Sequence, residues 1–347
     1  MHVLRLTEAE FKLRYRLDFD SFMELLSLLR KDLEPKSEKM ARLAKGGELI
    51  VPEVRLAVAL RFLAGGSPLD LKLIYKIEKM EVYRCVWRVV DAVNRRLDNI
   101  TFPLDDVEKL KVLEAEFRAA SRGGIWEGQV GAVDGICFKM RAPSVKDVPD
   151  PMRYYVARKA EYALLMVATC DADRRFTSYD ISQAPTTHDS LAWSSSKLGS
   201  AIKAGELPSP FFINGDNAFS TSNSMITPSG DSTLDAFDYH QSSNRVCIEC
   251  AFGILVMRWG IFWRPLTMRF DRRAPLVGAC MRLHNFCVDR RIGQTSLNTN
   301  GGRSEIQPNR WAKAPKWEKT TGRNVASAAS PWSVSAAPTA ASPDGLS

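Results

Sequence analysis

Gly131-Ala-Val-Asp134-Gly135 is the stretch around which this chain is organised. Residues 125–133 hold Ile125, Trp126, Val130 and Val133 among small residues, which suits a short buried strand. Asp134 then breaks the apolar run, so the pattern predicts a strand that ends on a lone carboxylate. Gly135 lets the backbone turn there, or approach a neighbour closely. A buried carboxylate is costly unless it is paired or bound to a cation, so an Asp at this place asks for a partner. The plainer alternative is an Asp that opens a turn.

With 347 residues, 45% of them hydrophobic, the chain can furnish two domains and a tail. No apolar run approaches the roughly eighteen residues that span a bilayer, so no membrane is expected as a partner. Met1-His-Val-Leu-Arg-Leu-Thr-Glu8 lacks the pattern of a signal peptide. Seven cysteines spread over so long a chain argue for a reducing compartment rather than a disulfide framework. The net charge of +8 favours an anionic partner, most often nucleic acid.

The first third reads as helical. Phe11, Leu13, Phe19, Phe22, Leu25, Leu26 and Leu29 recur at helical spacing as inward positions, and residues 34–47 read as a loop. Pro52-Glu53 opens a helix stopped by Gly65-Gly66, Ser67-Pro68 opens a second to about Tyr75, and a third runs from about Glu81 to Leu97. That layout over 52–97 is helix-turn-helix-like, within an all-helical region 1–120. Its third helix would bury Val82, Val86, Val89, Val90 and Val93 and expose Arg84, Arg88, Arg95 and Arg96. The competing reading is a helical bundle with a solvated basic face. Val107–Ala120 is one more amphipathic helix.

From Ile125 the signal becomes strand-like, with further strands over Tyr162–Thr169 and Phe176–Ile181 and a hairpin turn at Asp171-Ala-Asp173. A helix is expected to start near Thr186-Thr-His-Asp189 and to continue to about Ala204. Phe211-Phe-Ile213 is a fourth strand ending on Asn214-Gly-Asp216, a second carboxylate at a strand tip. From about Ser243 a helix carries Val246, Cys247, Cys250, Ile254 and Met257 on one stripe, with Glu249 off it beside Arg245 and Gly253. Residues 274–288 form a last apolar helix containing Leu283-His-Asn285. Residues 291–347 are rich in Ser, Ala, Thr and Pro and read as a disordered tail.

In this order the segments resemble a ribonuclease H-like core. They are Gly131–Gly135, Arg158-Lys159 with Tyr162, Cys170-Asp171 with Arg175-Phe-Thr177, Pro185–Ser190, Gly215-Asp216, Ile226-Thr-Pro228, Ser243–Glu249 with Ala251-Phe-Gly253, and Leu283–Asn285. The series over about 125–288 is similar to Harbinger-type transposases, the group that includes domesticated transposase-derived nucleases. Arg55-Leu-Ala-Val58 and Leu63-Ala-Gly65 extend the likeness into the helical region. One departure is Asn217-Ala-Phe219 after Asp216, where relatives more often have a small residue, Gly and an aromatic.

The resemblance implies an α/β (α+β) fold: a mixed-sheet nuclease core over 121–290, preceded by the helical region. Asp134, Asp216 and Glu249 would be its three acids, both catalytic and metal-holding, with divalent Mg2+ or Mn2+, as two ions, for cofactor. Hard cations want oxygen ligands, and two can hold the attacking and leaving oxygens of a phosphodiester. The implied function is DNA cleavage and strand transfer; the alternative is a catalytically silent DNA-binding or scaffold protein. Arg84, Arg88, Arg158 and Lys159 are the candidate DNA contacts. A separate Myb-like DNA-binding partner and a nuclear location, partly cytoplasmic without the partner, are further expectations, and an oligomer is compatible with the sequence.

Three other patterns compete. His188-Asp189-Ser190 has the letters of a hydrolase triad, but sequence neighbours cannot converge on one substrate atom. Asp189 has two readings, a helix cap or a supporting acid beside the metals. Cys247, Cys250, Cys280, His284 and Cys287 could suggest zinc, though on helices they also fit an apolar stripe.

Overall fold

The computed structural model describes residues 6–35, 50–124 and 126–292. Ile125, most of the expected loop 34–47 and the tail from residue 293 lie outside the described residues. Within them the fold is mixed α/β, ten α-helices around one six-stranded sheet.

Local chemistry explains most helix boundaries. In α1 (Glu8–Tyr15), Thr7 and Glu10 form a reciprocal capping box, and the chain leaves through Arg16 in the left-handed conformation. Asp18 caps α2 (Phe19–Leu33) by accepting from Ser21 N. Two helices therefore replace one continuous pattern, and this turns Leu13 and Phe19 outward while Phe11, Phe22, Leu25, Leu26 and Leu29 are buried. Pro52 begins α3 (Pro52–Leu63), and Ser67 caps α4 (Pro68–Tyr75). The turn to α5 (Lys79–Arg96) passes through Lys76 at φ 51°, a conformation the sequence does not announce because the residue is not Gly.

α5 lies at the centre of the helical region. Val82, Cys85, Val86, Val89, Val90, Ala92 and Val93 are buried, each valine contributing roughly 1.5–3 kcal/mol by leaving water. It packs against α2, α3, α4 and the C-terminal helix α10 (Arg273–Asp289). Its arginines face outward and find partners on the protein: Arg84 pairs with Glu81, Arg95 and Arg96 both with Asp32, and Arg88 donates to the Glu34 carbonyl.

α6 (Val107–Ala120) leads into the sheet. β1 (Gln129–Lys139) pairs antiparallel with β3 (Glu161–Cys170), and β3 pairs with β2 (Tyr155–Val156) and β4 (Phe176–Asp180) on its other side. Beyond β1 lie β5 (Phe212–Asn214) and β6 (Met225–Ile226), both parallel. Between β4 and β5 run α7 (Asp189–Ser195) and α8 (Lys197–Lys203), two helices rather than one, because Ser196 ends the first in extended conformation and caps the second. Alternation along β1 and β3 makes two cores. Ala132, Phe138, Leu164 and Met166 meet α10 and the long helix α9 (Asp235–Arg258), in a cluster continuous with the helical region. Val133, Leu165 and Val167 meet Trp193, Leu198 and Ile202 on the reverse face.

His284 and Asn285 serve this architecture. Asn285 accepts from Phe176 N and donates to the carbonyls of Phe176 and Asn99, all while fully buried. His284 Nε2 lies 2.8 Å from the Arg174 carbonyl, and burial pushes its pKa down to about 4, so the ring is neutral. Asn285→Ala would strand the buried N–H and carbonyl of Phe176, at about 1–3 kcal/mol each, and release the half-buried Asn99 carbonyl. Urea denaturation should show a loss of about 3 kcal/mol or more; a loss below about 0.5 kcal/mol would remove the residue from this role.

Candidate active site

Asp134 sits in the middle of β1 rather than at its end, because pairing with β3 continues unbroken from Ala132↔Cys170 to Lys139↔Ala163. What changes at Asp134 is exposure: the first five residues of β1 are buried and the next four only half so. Parallel pairing with β5 then brings in the second acid. Ala132 pairs with Asn214, and two residues further along each strand stand Asp134 and Asp216. Asp216 Oδ1 accepts from Ala218 N at 2.9 Å, so Asn217-Ala-Phe219 forms a compact turn about the carboxylate itself. In this way β5 hands its chain end to the spot beside Asp134.

The third acid comes from α9, which starts at Asp235, earlier than the apolar pattern indicates. Its buried side is Gln241, Asn244, Ile248, Ala251, Phe252 and Leu255; the expected stripe is wrong, since Val246 and Met257 are exposed and Cys247, Cys250 and Ile254 are half-buried. Two polar residues displace that stripe. Gln241 Nε2 donates to Asn214 Oδ1 and to the Gly215 carbonyl, both at 2.6 Å, and Asn214 Nδ2 donates to the Gln241 carbonyl. This buried network fixes α9 on the end of β5. One and two turns later, Arg245 and Glu249 face the acids.

The Arg245 guanidinium stands between two carboxylates, with Nη1 2.7 Å from Glu249 and 3.9 Å from Asp134. The closer contact has ion-pair distance without hydrogen-bond alignment, and the buried Nε and Nη1 lack a hydrogen-bond partner. Burial raises the Asp134 pKa to about 6. The neighbouring charges of Asp216 and Glu249 add to the rise, and the Gly135 N–H and Arg245 oppose it. The carboxylates of Asp216, at a strand end, and Glu249, on a helix, therefore both act on Asp134.

Among the described residues, no group of three or more His, Cys, Asp and Glu side chains is drawn tightly enough to enclose an ion. The donor chemistry nevertheless fits a hard divalent cation. All three groups are carboxylates, two of them raise the pKa of the buried third, and a guanidinium already stands as a cation between two of them.

Asp189 approaches β1 at Gly135, the residue after Asp134. It is the first residue of α7, with His188 in the cap position and making no side-chain cap bond. A Cβ on Gly135 would come within 3.0 Å of Asp189 Oδ1, so the glycine admits this carboxylate against β1. Gly135 and Cys137 face away from Asp134, and Cys137 feels Lys159, Asp189 and Arg158 in turn. Asp189 thus meets β1 on its reverse face, and the exposed Arg158 and Lys159 lie near enough to act on Cys137 through space. Cys280 and Cys287 are buried in the hydrophobic core, and all seven cysteines are unbridged. Gln241 and Asn214 were not singled out from the sequence; the usable signal was an amide closing an apolar strand.

The Asp134 carboxyl has a testable consequence for stability. Unfolded, it titrates near 3.8; folded, near 6, so the native state holds the proton more tightly and stability falls as pH rises through that window. In chelator, Asp134→Asn should be more stable than wild type at pH 7, by on the order of 2–3 kcal/mol, with the gap closing toward pH 4. Equal melting of the two proteins across that range would contradict the raised pKa.

No curated protein and no solved structure matches the chain. Residues 133–285 match the DDE superfamily endonuclease family, a span that opens one residue before Asp134 and closes on Asn285. By that match this part of the chain is similar to DDE superfamily endonucleases, which supports a transposase-derived nuclease family.

Proposed function

We propose that residues 121–290 act as a metal-dependent, transposase-type DNA endonuclease with a ribonuclease H-like core, hydrolysing phosphodiesters and transferring strands, with Asp134, Asp216 and Glu249 as its catalytic acids. One observation carries this reading: carboxylates from three separate elements act on one buried spot, within a segment similar to DDE superfamily endonucleases. Mg2+ or Mn2+, as a pair of ions held by these acids, would supply charge neutralisation at the phosphate and activation of water or a 3′-hydroxyl.

The chain's own residues do the rest. Asp216 is held by its turn and Glu249 by the anchored α9, so neither needs reordering when substrate arrives. The unaligned donors of Arg245 suit an incoming phosphate oxygen. Arg158 and Lys159 hold backbone phosphates by charge, and Asp189 positions β1 through Gly135. Arg84 and Arg88 add phosphate contacts from the helix-turn-helix-like segment 52–97; Arg84 remains largely exposed despite its pairing with Glu81. The catalytically silent alternative also has one observation on its side, the Arg245 guanidinium standing between Asp134 and Glu249.

Labelled duplex DNA with Mg2+ or Mn2+ separates the two. Cleavage should require the metal, and Asp134→Asn or Glu249→Gln should lower it by at least ~10²-fold while DNA binding persists. Asp189→Asn should cost less than about tenfold. Mg2+ should also raise the melting temperature of wild type but not of Asp134→Asn. Cleavage surviving in excess chelator, or unchanged in both variants, would overturn the assignment.

The protein is further proposed to act in the nucleus with a Myb-like DNA-binding partner. No compact run of Lys and Arg supplies an import signal. A tagged chain expressed alone should be partly cytoplasmic; complete nuclear accumulation without a partner would contradict this.

A further inference from the structure

Away from the acids, a cavity of about 260 Å3 opens among α1, α3 and α4, lined by Arg14, Tyr15, Arg61, Ile74 and Tyr75. Its polar lining is almost wholly donor. The hydroxyls of Tyr15 and Tyr75 lie 2.8 Å apart, so one donates to the other and the remaining O–H is left to point elsewhere. Each guanidinium offers five N–H donors, and among the described residues no carboxylate lies within ion-pair distance of Arg14 or Arg61. Glu10, one turn before Arg14, accepts from the Thr7 amide and hydroxyl and attracts Arg14 through space, without ion-pair contact.

More positive charge surrounds this cavity. Arg16, in the left-handed conformation at the end of α1, has a buried Nε without a hydrogen-bond partner. Burial lowers its pKa, and so do the charges of Arg61 and Arg258. Arg258 in turn donates to the Arg16 carbonyl. The charges of Arg61 and Arg258 thus add to that of Arg16 beside the cavity, a field that favours an anion.

We infer that this cavity is a binding site for one phosphate group, gripped by Arg14 and Arg61 and by the free hydroxyl proton of the Tyr15–Tyr75 pair, and that its ligand is a backbone phosphate of the DNA substrate. Arginine suits the planar, multiple-acceptor face of a phosphate, and the cavity holds a phosphate with its ester arms rather than a lone water. The choice of DNA as source rests on the nuclease reading; the phosphate chemistry does not. Such a site would anchor DNA at the helical region through α1, α3 and α4, in addition to the contacts proposed for Arg84 and Arg88 on α5.

The test uses the full chain, without divalent metal, and reads duplex DNA binding by anisotropy across a salt series. Arg14→Gln with Arg61→Gln should weaken binding and lower the log–log salt slope by about one unit, the signature of one lost phosphate contact; Arg14→Lys with Arg61→Lys should restore the slope. Inorganic phosphate, followed by calorimetry, is the second arm. An unchanged slope with arginine-dependent binding of inorganic phosphate keeps the phosphate site but overturns DNA as its source. An unchanged slope with no phosphate binding overturns the site. If wild type binds no DNA, the nuclease reading fails and the phosphate arm alone decides the cavity. Should the double variant unfold, Arg14→Gln alone gives the same decision, since that guanidinium makes no hydrogen bond among the described residues.

Discussion

The parallel pairing of β5 on β1 is the constraint on which the site depends. It brings a carboxylate from the middle of one strand beside another two residues past the end of its neighbour. Neither acid could hold this position alone, because burying a charge beside a like charge is unfavourable. The energy for it comes from the sheet: β1 is clamped by β3 over eight consecutive residue pairs, and both sheet faces are covered by hydrophobic clusters. Burial first, and then the charges of Asp216 and Glu249, raise the Asp134 pKa in consequence.

A helix lying across this pair must be held in register, and apolar packing alone does not do that. α9 is fixed by amides, since Gln241 can satisfy Asn214 and the Gly215 carbonyl at only one rotation and one height. Arg245 and Glu249 then follow at one-turn intervals. The same device recurs at the other end of the core, where Asn285 holds Phe176 and Asn99 together. Close backbone contact adds to it: a Cβ at Gly260 would meet the Ala64 carbonyl at 2.6 Å, so the end of α9 and the end of α3 approach as only glycine allows.

Much of this was legible in the residues. Ser67-Pro68 and Pro52-Glu53 mark helix starts that the structure keeps to within a residue, since caps and prolines act over a single turn, and the helix read over Val107–Ala120 keeps both its bounds. The hairpin at Asp171 forms as read, with Asp171 accepting from Arg175 N. The exposure of Leu13 and Phe19 and the buried side of α9 were misread for one reason. Periodicity records which residues are apolar, whereas burial depends on which faces other elements cover.

The sequence by itself determined the kinds of groups available: three acids on apolar elements, an excess of basic residues, and helices with definite starts. Only the tertiary structure decided their company. Asp134 and Asp189 are both acids near β1 in the fold, yet one faces α9 with Glu249 and the other meets Gly135 on the reverse face. A strand's alternation puts neighbouring side chains on opposite sides, and which side holds a second carboxylate is set by segments tens to more than a hundred residues away.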